Sequence, residues 1–367
     1  MGNEQIRVIH LDSEKGWRGG QQQVVYLVSN LVKQEIPSLL ICQPVSRLQI
    51  YCREKNLPYR SVPMKGELDL ISAQKIAIIA RKRKYNIIHA HSAHALATAL
   101  WVKIFYPNVK VVGTRRVDFQ PRRNIFSRIK YGASLLDKIV CISKEIEKIL
   151  HGYGVSSKKL KTIYSGIDVR KFDAVDPMAH FREMYNIPAD HVVVGTVAAL
   201  VGHKDYPNLL KAAKYVTERM NSVTFVALGT GPDEKKIRGI RDQLELKNRF
   251  ILAGFQENVG AFLKNFNIYI QASKKEGLGT SILDAFAAGL PIIGTKAGGI
   301  PELIRDQSNG ILVEASDHVK LGDAIISLIN DPELRAKLSN NAIEFVKRFD
   351  VDKTVNQYIE LYWELLR

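Results

Sequence analysis

Between Lys275 and Ile304 the chain sets out an acidic residue, a Gly/Thr/Ser turn, a short helical pattern, an apolar strand and a second glycine turn. Gly277, Leu278, Gly279, Thr280 and Ser281 open a helix that continues through Ala285, Phe286, Ala287 and Ala288. The first turn of a helix offers N–H groups without intrahelical partners at the positive end of its dipole, and this favours phosphate. Glu276, just before the turn, would repel that phosphate. Its carboxylate suits hydroxyl groups beside a phosphate instead, and Asp284 suits the same task further along the helix. A diphosphate flanked by two polyols is a nucleotide sugar. The plainer reading is a solvated surface acid before an ordinary βαβ turn.

Other stretches also hold residues able to do chemistry. In Gly16-Trp17-Arg18-Gly19-Gly20-Gln21-Gln22, a glycine pair precedes a helical pattern and would admit an anion close to the backbone. The loop lacks GxGxxG spacing and has no ribose-binding acid at the usual offset, so it is a weak dinucleotide fingerprint. Gly113-Thr114-Arg115-Arg116-Val117-Asp118 ends a strand-like run; its arginines suit an acidic or phosphorylated group, and a structural role is equally open. His89, His91 and His94 form an HxHxxH pattern at another strand end. Strand neighbours point to opposite faces and no acid or cysteine completes the set, so no metal is expected. Gly229, in Leu228-Gly229-Thr230-Gly231-Pro232, and Gly254 follow strand-like runs; their turns read either as base contacts or as ordinary turns.

These residues need a scaffold, and hydrophobic periodicity supplies one. Apolar β-branched runs alternate with helical patterns, which reads as βαβ units with parallel sheets, an α/β class. Strands are expected at 7–11, 39–42, 87–91, 110–114 and 139–143, then at 192–197, 224–228, 250–253, 268–271, 291–294 and 310–313. Helices are expected at 21–33, 71–83, 93–105, 144–151, 206–219, 331–348 and 351–366. Residues 161–172 and Asp176-Pro177 read as a connector between two halves. A chain of 367 residues suggests two domains, here 1–168 and 169–348, followed by a terminal segment 349–367. In open α/β sheets, ligands bind beyond the carboxyl ends of the strands.

Charge is unevenly spread. Residues 1–170 hold 29 Lys and Arg against 12 Asp and Glu, a net of +17, leaving −1 for the rest of a chain whose net charge is +16. The densest clusters are Arg81-Lys82-Arg83-Lys84 and the run Arg115, Arg116, Arg122, Arg123, Arg128, Lys130. Such a field attracts an anionic partner: lipid headgroups, a phosphorylated glycan or nucleic acid. Cys42, Cys52 and Cys141 sit in apolar segments and read as buried thiols in a reducing cytoplasm. No apolar run is long enough to span a membrane, and the opening MGNEQIRVIHLD has no signal-peptide core.

The segment 275–304 resembles the donor-binding signature of the retaining glycosyltransferases of family 4 (glycosyl transferases group 1), which have the GT-B fold. The family pattern places a glutamate, seven residues and then a second glutamate, followed by a GLP strand and a GGIPE turn. Here these are Glu276, Asp284, Gly289-Leu290-Pro291 and Gly298-Gly299-Ile300-Pro301-Glu302. Aspartate at the second position is one methylene shorter than the commoner glutamate. The resemblance implies two Rossmann-like, doubly wound parallel-sheet domains facing across a cleft, with the last helix crossing back to the first. It implies that Glu276 contacts the donor sugar, Asp284 the ribose, and Gly19 and Gly20 the donor phosphate. Gly229, Gly254, Gly277, Leu278, Gly279, Thr280 and Ser281 complete the donor set.

Ala198–Asp205 resembles the family's phosphate-binding loop. Lys204 matches its lysine, whereas Ala199 stands where an arginine is usual. Gln21, His91, Arg115 and Arg116 fall at acceptor-side positions. With Lys204 and Glu276, Arg115 makes up the expected catalytic set.

The implied activity is retaining, metal-independent and cofactor-free transfer of a hexose or heptose from a nucleoside-diphosphate sugar. The acceptor is read from charge and resemblance as an anionic envelope glycan or glycolipid, such as lipopolysaccharide core. This implies a cytoplasmic protein, peripheral at the anionic inner face of the membrane. Alternatives are a GT-B sugar-nucleotide epimerase and a non-catalytic nucleotide-sugar-binding protein. Nucleic acid is not expected as a partner, because the basic half has no aromatic stacking motif or recognised binding module.

Overall fold

Runs of aliphatic residues that are buried on both faces form parallel strands, and the helices between them make the crossovers. The computed structural model describes residues 5–121, 125–132 and 134–367. Arg122 and Arg123 of the basic run, and the side chain of Arg128, lie outside the described residues. By internal contact the chain divides into Met1–Gly166 with Val351–Arg367, and Ile167–Asp350.

The first unit contains β1 (Val8–Asp12), β2 (Ser38–Cys42), β3 (Tyr59–Ser61), β4 (Ile87–Ala90), β5 (Lys110–Arg115), β6 (Lys138–Cys141) and β7 (Leu160–Thr162). They pair in parallel in the order β3-β2-β1-β4-β5-β6-β7. The second unit contains β8 (Val192–Val197), β9 (Val223–Leu228), β10 (Phe250–Gly254), β11 (Ile268–Gln271), β12 (Ile292–Thr295) and β13 (Ile311–Val313). Their order is β10-β9-β8-β11-β12-β13, again parallel. Both sheets are doubly wound, with winding reversed beside the unit's first strand, as in Rossmann-like domains.

Two edge strands, β3 and β7, depart from the sequence expectation, and β7 occupies the start of the stretch read as a connector. Each has only three residues and is partly exposed, so neither carries the apolar run that marks a central strand. The later part of that stretch forms a 3₁₀ turn, Val169–Phe172.

The final helix, Val351–Leu366, belongs to the first unit. Val351, Val355, Tyr358, Leu361 and Tyr362 recur at helical spacing and pack with Leu27, Leu31, Ile87, Val112 and Val140. The buried Tyr362 hydroxyl lies 2.7 Å from His89 Nδ1. Thr354 donates to the Tyr164 carbonyl at 3.2 Å, and Gln23 is bonded to both the N–H and the carbonyl of Gly166. All three cysteines are buried free thiols. Among the described residues, no helix is long and apolar enough to cross a membrane.

Tyr362→Phe removes one bond and leaves a buried imidazole nitrogen unsatisfied, which should cost about 1–2 kcal/mol. Urea unfolding should show a lowered midpoint with an unchanged slope, and an unmoved midpoint would show that this bond contributes nothing.

Candidate active site

In the second unit the winding reverses between β8 and β11, so the loops leaving these strands diverge and open a crevice at their carboxyl ends. The loop after β8 carries the 3₁₀ turn Gly202–Lys204, and the loop after β11 carries Ser273 to Gly279. Lys204 Nζ and the Glu276 carboxylate form an ion pair across the crevice, with both side chains about seven-eighths buried. Glu276 Oε2 also accepts from Gln271 Nε2 at 3.0 Å and from Ser273 Oγ at 3.2 Å. Gln271 Oε1 in turn accepts from Tyr269 at 3.0 Å and Ser281 at 3.2 Å. The carboxylate is thus held in one orientation by donors from two loops and a strand.

Backbone bonds lock the loops together. Lys274 N–H donates to the His203 carbonyl at 2.8 Å, and Gly299 N–H, in the GGIPE turn, donates to the Glu276 carbonyl at 2.9 Å. Gly279 begins the helix Thr280–Ala287 at φ 90°, a left-handed conformation that glycine adopts without a Cβ penalty. The positive end of that helix therefore lies three residues from Glu276. Leu278 is buried beneath the turn.

Asp284 lies in the second turn of the same helix. Burial pushes its carboxyl up to about 7, opposed by the charge of Lys171. Gly229 donates its N–H to the Gly254 carbonyl at 2.7 Å, joining the turns after β9 and β10. Its φ is 136°, and a Cβ there would collide with the Ala198 carbonyl, so the turn after β9 lies directly on the loop after β8. Glycine is required at this approach.

The first unit repeats the topological device between β1 and β4. Asp12 ends β1, and its carboxylate accepts from Gln21 Nε2 at 3.1 Å and from Glu14 N–H at 2.8 Å. Burial pushes the Asp12 carboxyl up to about 6. Gln21 Oε1 accepts from Arg18 N–H at 3.1 Å, which shapes the Gly19–Gly20 turn.

Arg116 crosses this turn: a Cβ on Gly20 would stand 3.4 Å from Arg116 Cδ. Arg116 donates to Ser165 Oγ at 3.5 Å, and its buried Nε has no partner. Burial lowers its pKa, against the opposing influence of Tyr358 and Asp12.

The adjacent arginines part company. Arg115 donates to the Tyr131 hydroxyl at 2.6 Å and to the Phe119 carbonyl, and it lies over the Tyr131 ring. Of the two, Arg116 is the one at the glycine turn, beside Gln21. The sequence pattern did not distinguish them.

His89 and His91 are two residues apart and therefore share a strand face, which corrects the reading that alternation would separate them. They meet His10 of β1, whose Nδ1 lies 3.1 Å from His91 Nε2, whereas His94 is exposed. Ligand atoms of His10, His89 and His91 come within 4.8 Å of one another, close enough for a cation. However, four of the six ring nitrogens already have partners, since His89 meets both Tyr362 and Thr114 at 2.7 Å. Nearby Arg116 would also oppose a metal ion. Burial lowers His10 to about 3 and holds His89 and His91 well below the usual imidazole range, so the cluster is neutral. With 5% exposure, His91 lies beneath the site surface.

Sequence reasoning missed Asp12, His10, Gln271 and Ser273. The polar end of the apolar run Ile268-Tyr269-Ile270-Gln271 was an available signal for Gln271.

Residues 17–171 match the family Glycosyltransferase Family 4, and residues 178–345 match Glycosyl transferases group 1. With two Rossmann-like sheets, these matches make the chain a GT-B glycosyltransferase of the group 1, family 4-like type. The N-acetyl-alpha-D-glucosaminyl L-malate synthase of Bacillus anthracis is 29% identical over 326 residues, covering 87% of this chain and 85% of its own. The lipopolysaccharide core biosynthesis glycosyltransferase LpsE of Rhizobium meliloti is 25% identical over 290 residues, 78% of each chain. Among solved structures, Anabaena Alr3699/HepE in complex with UDP-glucose has the same fold. Its TM-score is 0.87 at 19% identity, over 98% of this chain and 100% of that one.

The raised Asp284 carboxyl has a sign that can be tested. Its folded value lies above the unfolded 3.8, so its stabilising contribution is complete below that value and is lost as pH rises through about 7. Asp284→Asn stays neutral throughout. Its melting temperature relative to wild type should therefore climb between about pH 4 and about pH 7 and level off above. A constant difference across that range would contradict the shift.

Proposed function

We propose that the protein transfers a sugar, with retention of anomeric configuration and without a metal, from a nucleoside-diphosphate sugar to a hydroxyl of an anionic acceptor. The observation that carries this reading is the Lys204–Glu276 pair beside the positive end of the Thr280–Ala287 helix. Glu276, oriented by Gln271 and Ser273, would accept hydrogen bonds from donor-sugar hydroxyls. Lys204 and the N–H groups at Thr280 and Ser281 would face the diphosphate. Gly229 and Gly254 would border the base, and Asp284 would face the ribose. HepE was crystallised with UDP-glucose, so a uridine nucleotide is the first donor to test.

In the proposed reaction the bond between the anomeric carbon and the phosphate oxygen breaks while the acceptor oxygen bonds to that carbon from the same face. The acceptor proton passes to the departing phosphate oxygen, so no side-chain nucleophile is needed. Charge develops on the diphosphate, where a fixed cation and oriented amides stabilise it most.

On the acceptor side, Arg116, with its unpartnered Nε, is placed to hold an anionic group beside Gly19, Gly20 and Gln21. Arg115 and His91 would support that wall through their packing. The malate of the Bacillus relative and the lipopolysaccharide core of LpsE are both anionic. We therefore take an anionic envelope glycan or glycolipid, such as lipopolysaccharide core, as the acceptor class, with hexose or heptose as the transferred sugar.

Lys204→Met should lower kcat by about 10²- to 10³-fold, the usual effect of removing one transition-state donor. Glu276→Ala should abolish measurable transfer and, by leaving the buried Lys204 without its carboxylate, lower the melting temperature without preventing folding. Near-normal turnover by Glu276→Ala would remove this residue from the reaction. UDP-glucose at about 100 times its Kd should stabilise the wild type by about 2.7 kcal/mol. Release of a free epimer without any acceptor would instead identify an epimerase.

A further inference from the structure

The helix Leu70–Lys82 has a buried side of Ser72, Ala73, Ile76, Ala77 and Ala80 and an outer side that does not follow the usual polar pattern. At the centre of the outer side, Ile71 and Ile78 are 70% and 60% exposed. At helical spacing they are flanked by exposed Lys75 and Lys82 on one edge and by Gln74 and Arg81 on the other. Leu68, just before the helix, is 66% exposed. Ile104 is also exposed, next to Phe105, whose carbonyl accepts from Arg81 at 2.8 Å.

The charge around this stripe has one sign. From Leu70 to Val117 the chain holds nine Lys and Arg and no Asp or Glu. The acids just before the helix have other partners: Asp69 caps it through Ser72 N–H, and Glu67 pairs with Lys130. An apolar ridge bordered by cations, with no carboxylate to oppose it, suits a surface that is negatively charged outside and apolar just beneath.

We infer that the outer face of the helix Leu70–Lys82, continued by Leu68, docks on an anionic lipid bilayer. The isoleucines enter the acyl boundary, and Lys75, Arg81, Lys82, Arg83 and Lys84 lie at the headgroups. Nucleic acid would use the same cations but has no use for the isoleucines. This face is independent of the donor crevice, so it can fail without the reading of that crevice failing.

The test is vesicle sedimentation of the full chain at low salt, using phosphatidylglycerol–phosphatidylcholine vesicles against pure phosphatidylcholine. Wild type is compared with Ile71→Ser/Ile78→Ser and Lys75→Gln/Lys82→Gln. The expected result is binding to the anionic vesicles alone, weakened about tenfold or more in each double variant. Melting temperatures and the UDP-glucose thermal shift should match wild type, showing that the fold and donor crevice are intact. Wild-type binding by the isoleucine variant overturns the assignment, as does equal binding to neutral vesicles. Tighter binding to single-stranded RNA than to anionic vesicles also overturns it.

Discussion

A single ion pair, Lys204 with Glu276, joins the two loops that leave the second sheet where its winding reverses. Much of the surrounding polar structure answers to the cost of keeping that pair largely out of water. A partly buried carboxylate needs donors beyond its lysine, and Gln271 and Ser273 supply them. Gln271 must then be satisfied in turn, by Tyr269 and Ser281. Ser281 belongs to the first turn of the helix begun by Gly279, so the network continues into the helix end proposed to meet the diphosphate. A cation, a helix terminus and a fixed carboxylate are thereby held close together. Preorganisation of this kind spares a reaction the reorientation of dipoles that water would require.

The first unit uses the same topological opening for different chemistry. Its charged element is an arginine with an unpartnered nitrogen, set across the Gly19–Gly20 turn and near a carboxyl whose pKa burial has raised. Behind it, three neutral imidazoles replace part of the hydrocarbon core. Through His89, the cluster links the sheet to Tyr362 of the terminal helix. Neutrality is the condition for this arrangement, because three charged imidazoles beside Arg116 would carry a desolvation cost that the fold could not sustain.

The motif 275–304 and the central strands were legible in the chain because both rest on local pattern. An apolar β-branched run is a strand wherever two faces are covered, and a glycine turn before a helix can admit an anion in any sheet of this type. The edge strands Tyr59–Ser61 and Leu160–Thr162 were not legible, since half-exposed residues carry no such run. The meeting of His10 with His89 and His91 also escaped notice. It depends on the pairing of β1 with β4, which sets His10 against His89 across 78 intervening positions of the chain.

Sequence alone determined the α/β class, the two-part layout, the asymmetry of charge and the place of Glu276 just before a helix that opens on a glycine turn. These follow from composition and from periods of two and 3.6 residues, which need no partner to be read. Tertiary structure decided that Lys204 meets Glu276, that Gln271 and Ser273 orient it, and that Arg116 crosses the glycine turn while Arg115 faces Tyr131. Adjacent residues of one type are equivalent in a string of letters. They become different only when strand alternation and the register of neighbouring strands give each its own surroundings.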